Sequence, residues 1–275
     1  MSSEQRKPDS IFPGFSGVSP ELTPLLISRR VNRLSTVTAS SLRMAMLSGV
    51  AGFADAAGFV VLSGLFPAHV TGEIVAAVAA VSGQDLAKEL PRLAVVLVFV
   101  LAVVLGALVT RIFRERGRSP LAALLWAMAF ALLLFAISDR LFPDGGTAHF
   151  AWKAGTVVGA MGLQNVIMRR ALTSSCPTTV MTGNLTQFMI ELVELSLSRF
   201  TLSGGEKSAL RARSEARLRA VGLALGVFCF SAIWGGALTF AFGSASALVP
   251  ALVLGVLAWK ERRHPMPLNR TGTLY

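Results

Sequence analysis

The sequence predicts an all-α polytopic membrane protein. The expected architecture is about six transmembrane helices plus two re-entrant or short Thr-Gly segments, related by a twofold, inverted internal repeat. Three observations predict it. First, 53% of the 275 residues are hydrophobic and only 15% are charged, with a mean hydropathy of +0.62, far from a soluble domain of this size. Second, apolar runs recur at close to the roughly 20 residues that a helix needs to cross about 30 Å of hydrocarbon. Third, one unit is written twice. Gly52-Phe53-Ala54-Asp55, then Phe66-Pro67-Ala68-His69-Val70-Thr71-Gly72-Glu73, returns as Gly162-Leu163-Gln164-Asn165, then Cys176-Pro177-Thr178-Thr179-Val180-Met181-Thr182-Gly183-Asn184. The glycines and the prolines are each 110 residues apart, and Met181 lengthens the interval to 111 at Thr-Gly. Doubled polar motifs in so apolar a chain point to two related halves with a site between them.

Residues 1–42, rich in Ser, Pro and basic residues, read as a mostly disordered cytoplasmic tail. Within it Leu25–Leu34 has the pattern of a short basic surface helix. The first membrane repeat is expected over 43–140 and the second over 150–260, with 261–275 a cytoplasmic C-terminal tail. The six spans are expected at Met44–Phe66, Leu93–Val109, Leu121–Ile137, Phe150–Met168, Val221–Phe242 and Ala245–Trp259. No cleavable signal is evident, because the first apolar run is too long for one. Two further segments, Ala68–Ser82 and Pro177–Ser198, each follow a proline that ends the preceding helix. The first is short and both carry polar groups, so they are expected to dip into the membrane and return.

Charge separates this arrangement from an eight-span alternative. With six crossings, 22 of the 26 Lys and Arg lie inside and 4 outside (Lys88, Arg92, Arg140, Lys153). Eight crossings would expose Arg111, Arg114, Arg116 and Arg118 in one short external loop, against the positive-inside bias. Six crossings make the repeat inverted; eight would make it parallel. The same bias explains the net charge of +11 without nucleic acid as a partner.

Rare polar groups in apolar surroundings are the candidate site. Ser48, Gly52, Asp55, Phe59 and Ser63 share one helix face, matched in the second half by Gly162, Asn165 and Arg169, with Gln164 beside it. Asp55 and Glu73 are the expected coupling or cation contacts. Thr71, Gly72, Thr182, Gly183 and Asn184 are expected to set the geometry, each Thr capping a half-helix and each Gly admitting a neighbouring backbone. Two such N-termini aimed at one spot also suit an anion, an idea that Glu73 opposes. His69, Gln164 and Asn165 are expected as polar lining, and His69 with Glu73 as a relay pair if they share a helix face. Glu191 and Glu194 are read as facing the cytoplasm at the end of the second dipping segment. Gly155-x-x-x-Gly159 and Gly222-x-x-x-Gly226 permit close helix packing or a homodimer seam. Trp152 and Trp259 fit an interfacial belt. Cys176 and Cys229 have neither a disulfide framework nor metal-ligand company around them. No cofactor or metal is expected, and no phosphate loop, metalloprotease pair or activated nucleophile argues for an enzyme.

Gly-x-x-Asp, His-Val-Thr-Gly, Gly-Leu-Gln-Asn followed by Arg169-Arg170, and Val-Met-Thr-Gly together resemble the YoaK-like family of bacterial membrane proteins of unknown function. The likeness covers roughly residues 40–260. The family usually has Asn after its first Ser/Thr-Gly, where this chain has Glu73. The resemblance implies a bacterial inner-membrane protein of about six helices. The functional expectation is a small-solute or ion permease, proton-coupled through Asp55, with the lipid bilayer and an unidentified solute as partners. The alternatives are a passive channel and a non-transporting scaffold or sensor.

Overall fold

The computed structural model describes residues 23–81, 86–172, 181–201 and 205–265. Two compact units divide the chain, residues 1–40 and 41–275. In the first unit the backbone is helical from Thr23 on, so a helix occupies part of the stretch expected to be a disordered tail. The described residues contain no strand.

Nine helices follow in order among the described residues: α1 (Thr23–Val61), α2 (Val70–Val81), α3 (Leu86–Glu115), α4 (Leu121–Ala136), α5 (Ser138–Leu141), α6 (Gly146–Val166), α7 (Met181–Thr201), α8 (Gly205–Phe242) and α9 (Leu248–Arg263). A π turn, Ile167–Ala171, extends α6, and a 3-10 turn, Gly243–Ala247, joins α8 to α9. Each of the six expected segments overlaps a helix. Among the described residues three helical stretches are long and apolar enough to cross a membrane: Ser41–Val61, Leu93–Glu115 and Ser214–Arg263, the last taking in most of α8 and all of α9. Helix α2 has 12 residues, a rise of about 18 Å, too short to cross. Helix α1 stops before its expected end at Phe66. Ser63 (φ 54°) and Gly64 (φ 83°) both take left-handed conformations, which a right-handed helix cannot continue.

Burial shows which helices face outward. In the apolar part of Ser41–Val61 72% of residues are buried, against 22% for Leu93–Glu115. Leu97, Leu101 and Leu105 on α3, Ile233 and Phe240 on α8, and Leu252 on α9 are exposed. Water would penalise a surface of that kind, whereas hydrocarbon does not.

Glycines set the closest crossings. A Cβ on Gly52 of α1 would fall on the backbone carbonyl of Phe228 in α8, well inside 3.0 Å, and one on Gly235 would come within 2.9 Å of the Phe53 Cα. Across the molecule, a Cβ on Gly162 of α6 would lie 2.8 Å from the Ala102 Cβ and 3.1 Å from the Phe99 carbonyl of α3. The partners share a spacing: Phe99, Gly106 and Thr110 of α3 reappear as Phe228, Gly235 and Thr239 of α8, each 129 residues on. The expected Gly-x-x-x-Gly packing is corrected. Gly155, Gly159 and Gly226 meet nothing within 4 Å, and Gly222 meets only the Phe188 side chain.

Ion pairs link the helices. Arg43 Nη2, on α1, lies 2.8 Å from Glu261 Oε2 at the end of α9. Lys153 Nζ, on α6, lies 2.5 Å from Asp139 Oδ1 just beyond α4. Arg43 and Lys153 are 110 residues apart, the interval of the repeated motif. Asp139 Oδ2 also accepts the Ser244 N–H at 3.2 Å. That bond joins the end of α4 to the turn entering α9, so these two packed helices run antiparallel.

Asp139 has a pH consequence. Burial pushes its carboxyl up, but hydrogen bonds from Lys153 and Ser244 outweigh this and hold it below the ordinary carboxylate value. A depressed folded-state pKa contributes stability that is fully present above the unfolded value of about 3.9 and is lost as pH falls through the folded one. Hydrogen-exchange protection over residues 243–247, measured against the intrinsic rate at each pH, is therefore expected to fall only in that acidic range. Asp139→Ala, which removes both acceptors, should already lose that protection at neutral pH; equal protection in the variant would refute the clamp.

Candidate functional site

The site is built around the return of the chain after α1. Gly58 allows it: a Cβ there would meet Pro67 Cδ at 2.5 Å, so residues 62–69 can fold back over the last turns of α1. This lays the backbone of Ala68 on Asp55. The Ala68 N–H donates to Asp55 Oδ1 at 2.7 Å, and His69 Nδ1 shares a hydrogen bond with Oδ2 at 2.5 Å. Asp55 is 5% exposed, so these bonds offset the cost of burying a carboxyl at helix depth. Glu73 braces the same loop from the other side. Its Oε1 accepts the Phe66 N–H at 2.9 Å, while Oε2 is buried with no hydrogen-bond partner among the described residues. The two carboxyls expected to meet a solute thus first hold a loop, and the side chain that His69 contacts is Asp55, not Glu73.

Two cavities flank His69. The larger, about 770 Å³, is lined by His69, Thr71, Asn165, Arg169, Arg170 and Thr182 among others. It brings a residue of each Thr-Gly motif to one space, as the doubled motif implies. The other, about 710 Å³, is apolar except for Asp55 and His69. Both volumes suit a small molecule. His69 and Met181 line both, so the imidazole stands in the partition.

Wall residues of the two cavities stand at fixed sequence intervals from one another. Asp55, Ala56, Phe59 and Val60 of α1 line the apolar one; Asn165, Val166, Arg169 and Arg170, each 110 residues later, line the polar one. The facing helix contributes Phe228, Ala232 and Gly236 to the first, and Phe99, Val103 and Ala107, 129 residues earlier, to the second. Same framework, opposite chemistry.

Other expected site residues take different places. Gln164 is fully buried and its Nε2–H donates to the Leu47 carbonyl at 2.8 Å, tying α6 to α1 rather than lining a cavity. Asn165 does line one, and its Nδ2–H also donates to Met161 O at 3.0 Å. Asn184 is buried, its amide 3.8 Å from Met181 Sδ. Thr71 and Gly72 are the second and third residues of α2, so Thr71 is not the cap. Nothing lies within 4 Å of a Cβ at Gly72, so that glycine admits no close backbone. Thr182 and Gly183 are exposed near the start of α7 as described. Cys176 to Val180 of the second motif lie outside the described residues. Glu191 is buried, accepts from Gln187 at 2.8 Å and lies 3.6 Å from Arg217 of α8, which assigns it to packing of α7 on α8. Among the described residues no group of His, Cys, Asp and Glu is arranged to hold a metal ion. Arg170 is a charged wall residue that the sequence did not assign to the site; its signal was adjacency to Arg169, on the face shared with Asn165.

A family model described as "Protein of unknown function (DUF1275)" matches residues 43–259, and the chain belongs to that family. The description does not carry the name of the YoaK-like family that the motifs resemble. No curated protein and no solved structure matches the chain.

Proposed function

We propose that this DUF1275 protein is a small-solute or ion permease of the bacterial inner membrane, with six crossings, an inverted repeat and both termini in the cytoplasm. One observation carries the reading: residues of both Thr-Gly motifs, Thr71 and Thr182, line a single cavity with His69 and Asn165. Transporters of this architecture place the solute where inverted repeats meet. The repeat is supported by the matched glycine crossings, by the paired ion bridges at opposite helix ends and by the antiparallel packing of α4 on α9. Parallel repeats would run those two helices the same way. The cytoplasmic termini rest on the basic clusters at 111–118 and 169–219.

Coupling is assigned to the Asp55–His69 pair, which holds an exchangeable proton in the partition between the cavities. The test is flux. Full-length protein in liposomes containing pyranine is challenged with amino acids, carboxylates, inorganic phosphate and alkali cations under an imposed pH gradient. At least one probe should drive saturable proton entry. Unsaturable flux indifferent to the gradient would identify a passive channel. A scaffold is the remaining reading, favoured by the polar groups that lock helices, Gln164 on Leu47 above all; it predicts no flux for any probe.

A further inference from the structure

We propose that the polar cavity is a site for a small oxyanion, a carboxylate or phosphate, held by Arg169 and Arg170. This deepens the permease reading by naming the solute class, and it rests on that reading for the identity of the cavity.

Positive-inside placement explains why arginines sit near a cytoplasmic end, but not why two line a cavity. The backbone does. Residues 167–171 form a π turn, with Leu172 N–H donating to the Ile167 carbonyl five residues back at 2.9 Å. In a regular α-helix Arg169 shares the face of Asn165, whereas Arg170 points well away. The wider turn draws positions four and five residues on toward one side, and such bulges concentrate at functional sites. Both arginines then line the cavity with Asn165. Arg114 of α3 pins this turn, its guanidinium donating to the Arg170 carbonyl.

Charge completes the argument. Two arginines line this cavity, a third is bonded to the Arg170 carbonyl beside it, and no carboxylate belongs to the described lining. Glu73, the sequence-level objection to an anion, is spent on the Phe66 N–H and does not line the cavity. Asp55 lines the opposite one and is held by Ala68 and His69. Like charges so placed favour an anion between them, and the planar guanidinium fork matches the geometry of carboxylate and phosphate. Val70 and Thr71, at the N-terminal turn of α2, also line the cavity, adding favourable backbone partial charge. In the equivalent cavity the same two positions hold Phe59 and Val60. Divergence at the two ligand positions, on a preserved framework, marks the arginines as a ligand feature.

The free anion and the phosphate of an anionic lipid headgroup present the same chemistry. Thermal unfolding of the full chain in lipid-free neutral detergent, titrated with inorganic phosphate and with acetate, reads the first. The same measurement with added phosphatidylglycerol against phosphatidylcholine reads the second. A saturable rise in Tm is expected with at least one anion source, since a ligand binding only the folded state stabilises it by mass action. Arg169→Gln/Arg170→Gln should weaken the apparent affinity at least about tenfold, while Arg111→Gln, whose partner is Glu115 outside the cavity, leaves it unchanged. Arg169→Lys, which keeps charge but loses the fork, should fall between them and covers a double variant that fails to fold. A rise confined to phosphatidylglycerol and lost in the variants assigns the site to a headgroup; a rise with free phosphate or acetate assigns it to a solute. An equal rise in wild type and the double variant, or no saturable rise with any of these, overturns the proposal. Binding without flux in the liposome assay would leave the anion site standing and remove the permease.

Discussion

Gly52→Ala is expected to be the most damaging single methyl group that can be added to this protein. The new Cβ has no room, and what it strikes is the Phe228 main-chain carbonyl, which cannot rotate aside like a side chain. Two helices must separate, and the Gly235–Phe53 contact two turns along α8 must open with them. Overpacking a well-filled interior costs typically about 1–3 kcal/mol, and a backbone collision belongs at or beyond the top of that range. Allowing roughly 2–4 °C per kcal/mol for a chain of this size, Tm in detergent should fall by about 10 °C, or folded monodisperse protein should be lost. An ordered series makes the test sharp. Gly162→Ala, where the first obstacle is the Ala102 methyl, should cost less. Gly159→Ala, with nothing within 4 Å, should be neutral or gain slightly from alanine's better helix propensity. Trimming Phe228 to alanine should not rescue Gly52→Ala, because the carbonyl remains. Equal stability of Gly52→Ala and Gly159→Ala would mean that α1 does not cross α8 there.

That series also shows where the sequence was legible. Helix positions followed from apolar run length, because hydrocarbon thickness fixes the length needed to cross. The doubled motif was visible because polar residues are rare enough here for their order to be conspicuous. Which glycines make contact was not visible. Gly-x-x-x-Gly is a pattern on one helix, and close approach depends on what the partner presents; Gly52 succeeds because it faces Phe228, and Gly159 does not because it faces space. The fuller repeat, Phe-x6-Gly-x3-Thr in α3 and α8, escaped notice because Leu, Val, Ala and Phe interchange freely in lipid-facing helices.

At the site, residue identity proved easier to read than partnership. His69 and Glu73 are spaced for a shared helix face, yet His69 lies before α2 begins, so its ring turns back to Asp55. Glu73 reaches instead to a backbone amide seven residues upstream. Both choices come from the fold-back at Gly58 and Pro67, a tertiary event that helical periodicity cannot encode. Arg170 was hidden for a related reason: its direction depends on the π turn, and regular geometry would have sent it elsewhere.

Asp55→Asn should separate coupling from folding. Asparagine keeps an oxygen where Oδ1 stands, so the Ala68 N–H at 2.7 Å retains its acceptor and the loop stays in place. It removes the carboxyl oxygen that His69 Nδ1 contacts, and its amide cannot release a proton. The fold is thus expected to survive with a small change in Tm, while proton-linked uptake falls by about a hundredfold or more, the usual scale for losing a positioned acid–base group. Asp55→Leu should do both kinds of harm: the buried Ala68 N–H loses its partner at about 1–3 kcal/mol, and His69 loses its own. His69→Gln should copy Asp55→Asn in flux. If the two groups pass one proton, combining Asp55→Asn with His69→Gln should cost little more than either alone, as for residues acting as a unit. Additive losses would assign them separate tasks. Full uptake by Asp55→Asn would remove the pair from coupling altogether, leaving Asp55 as the peg on which the loop between α1 and α2 hangs.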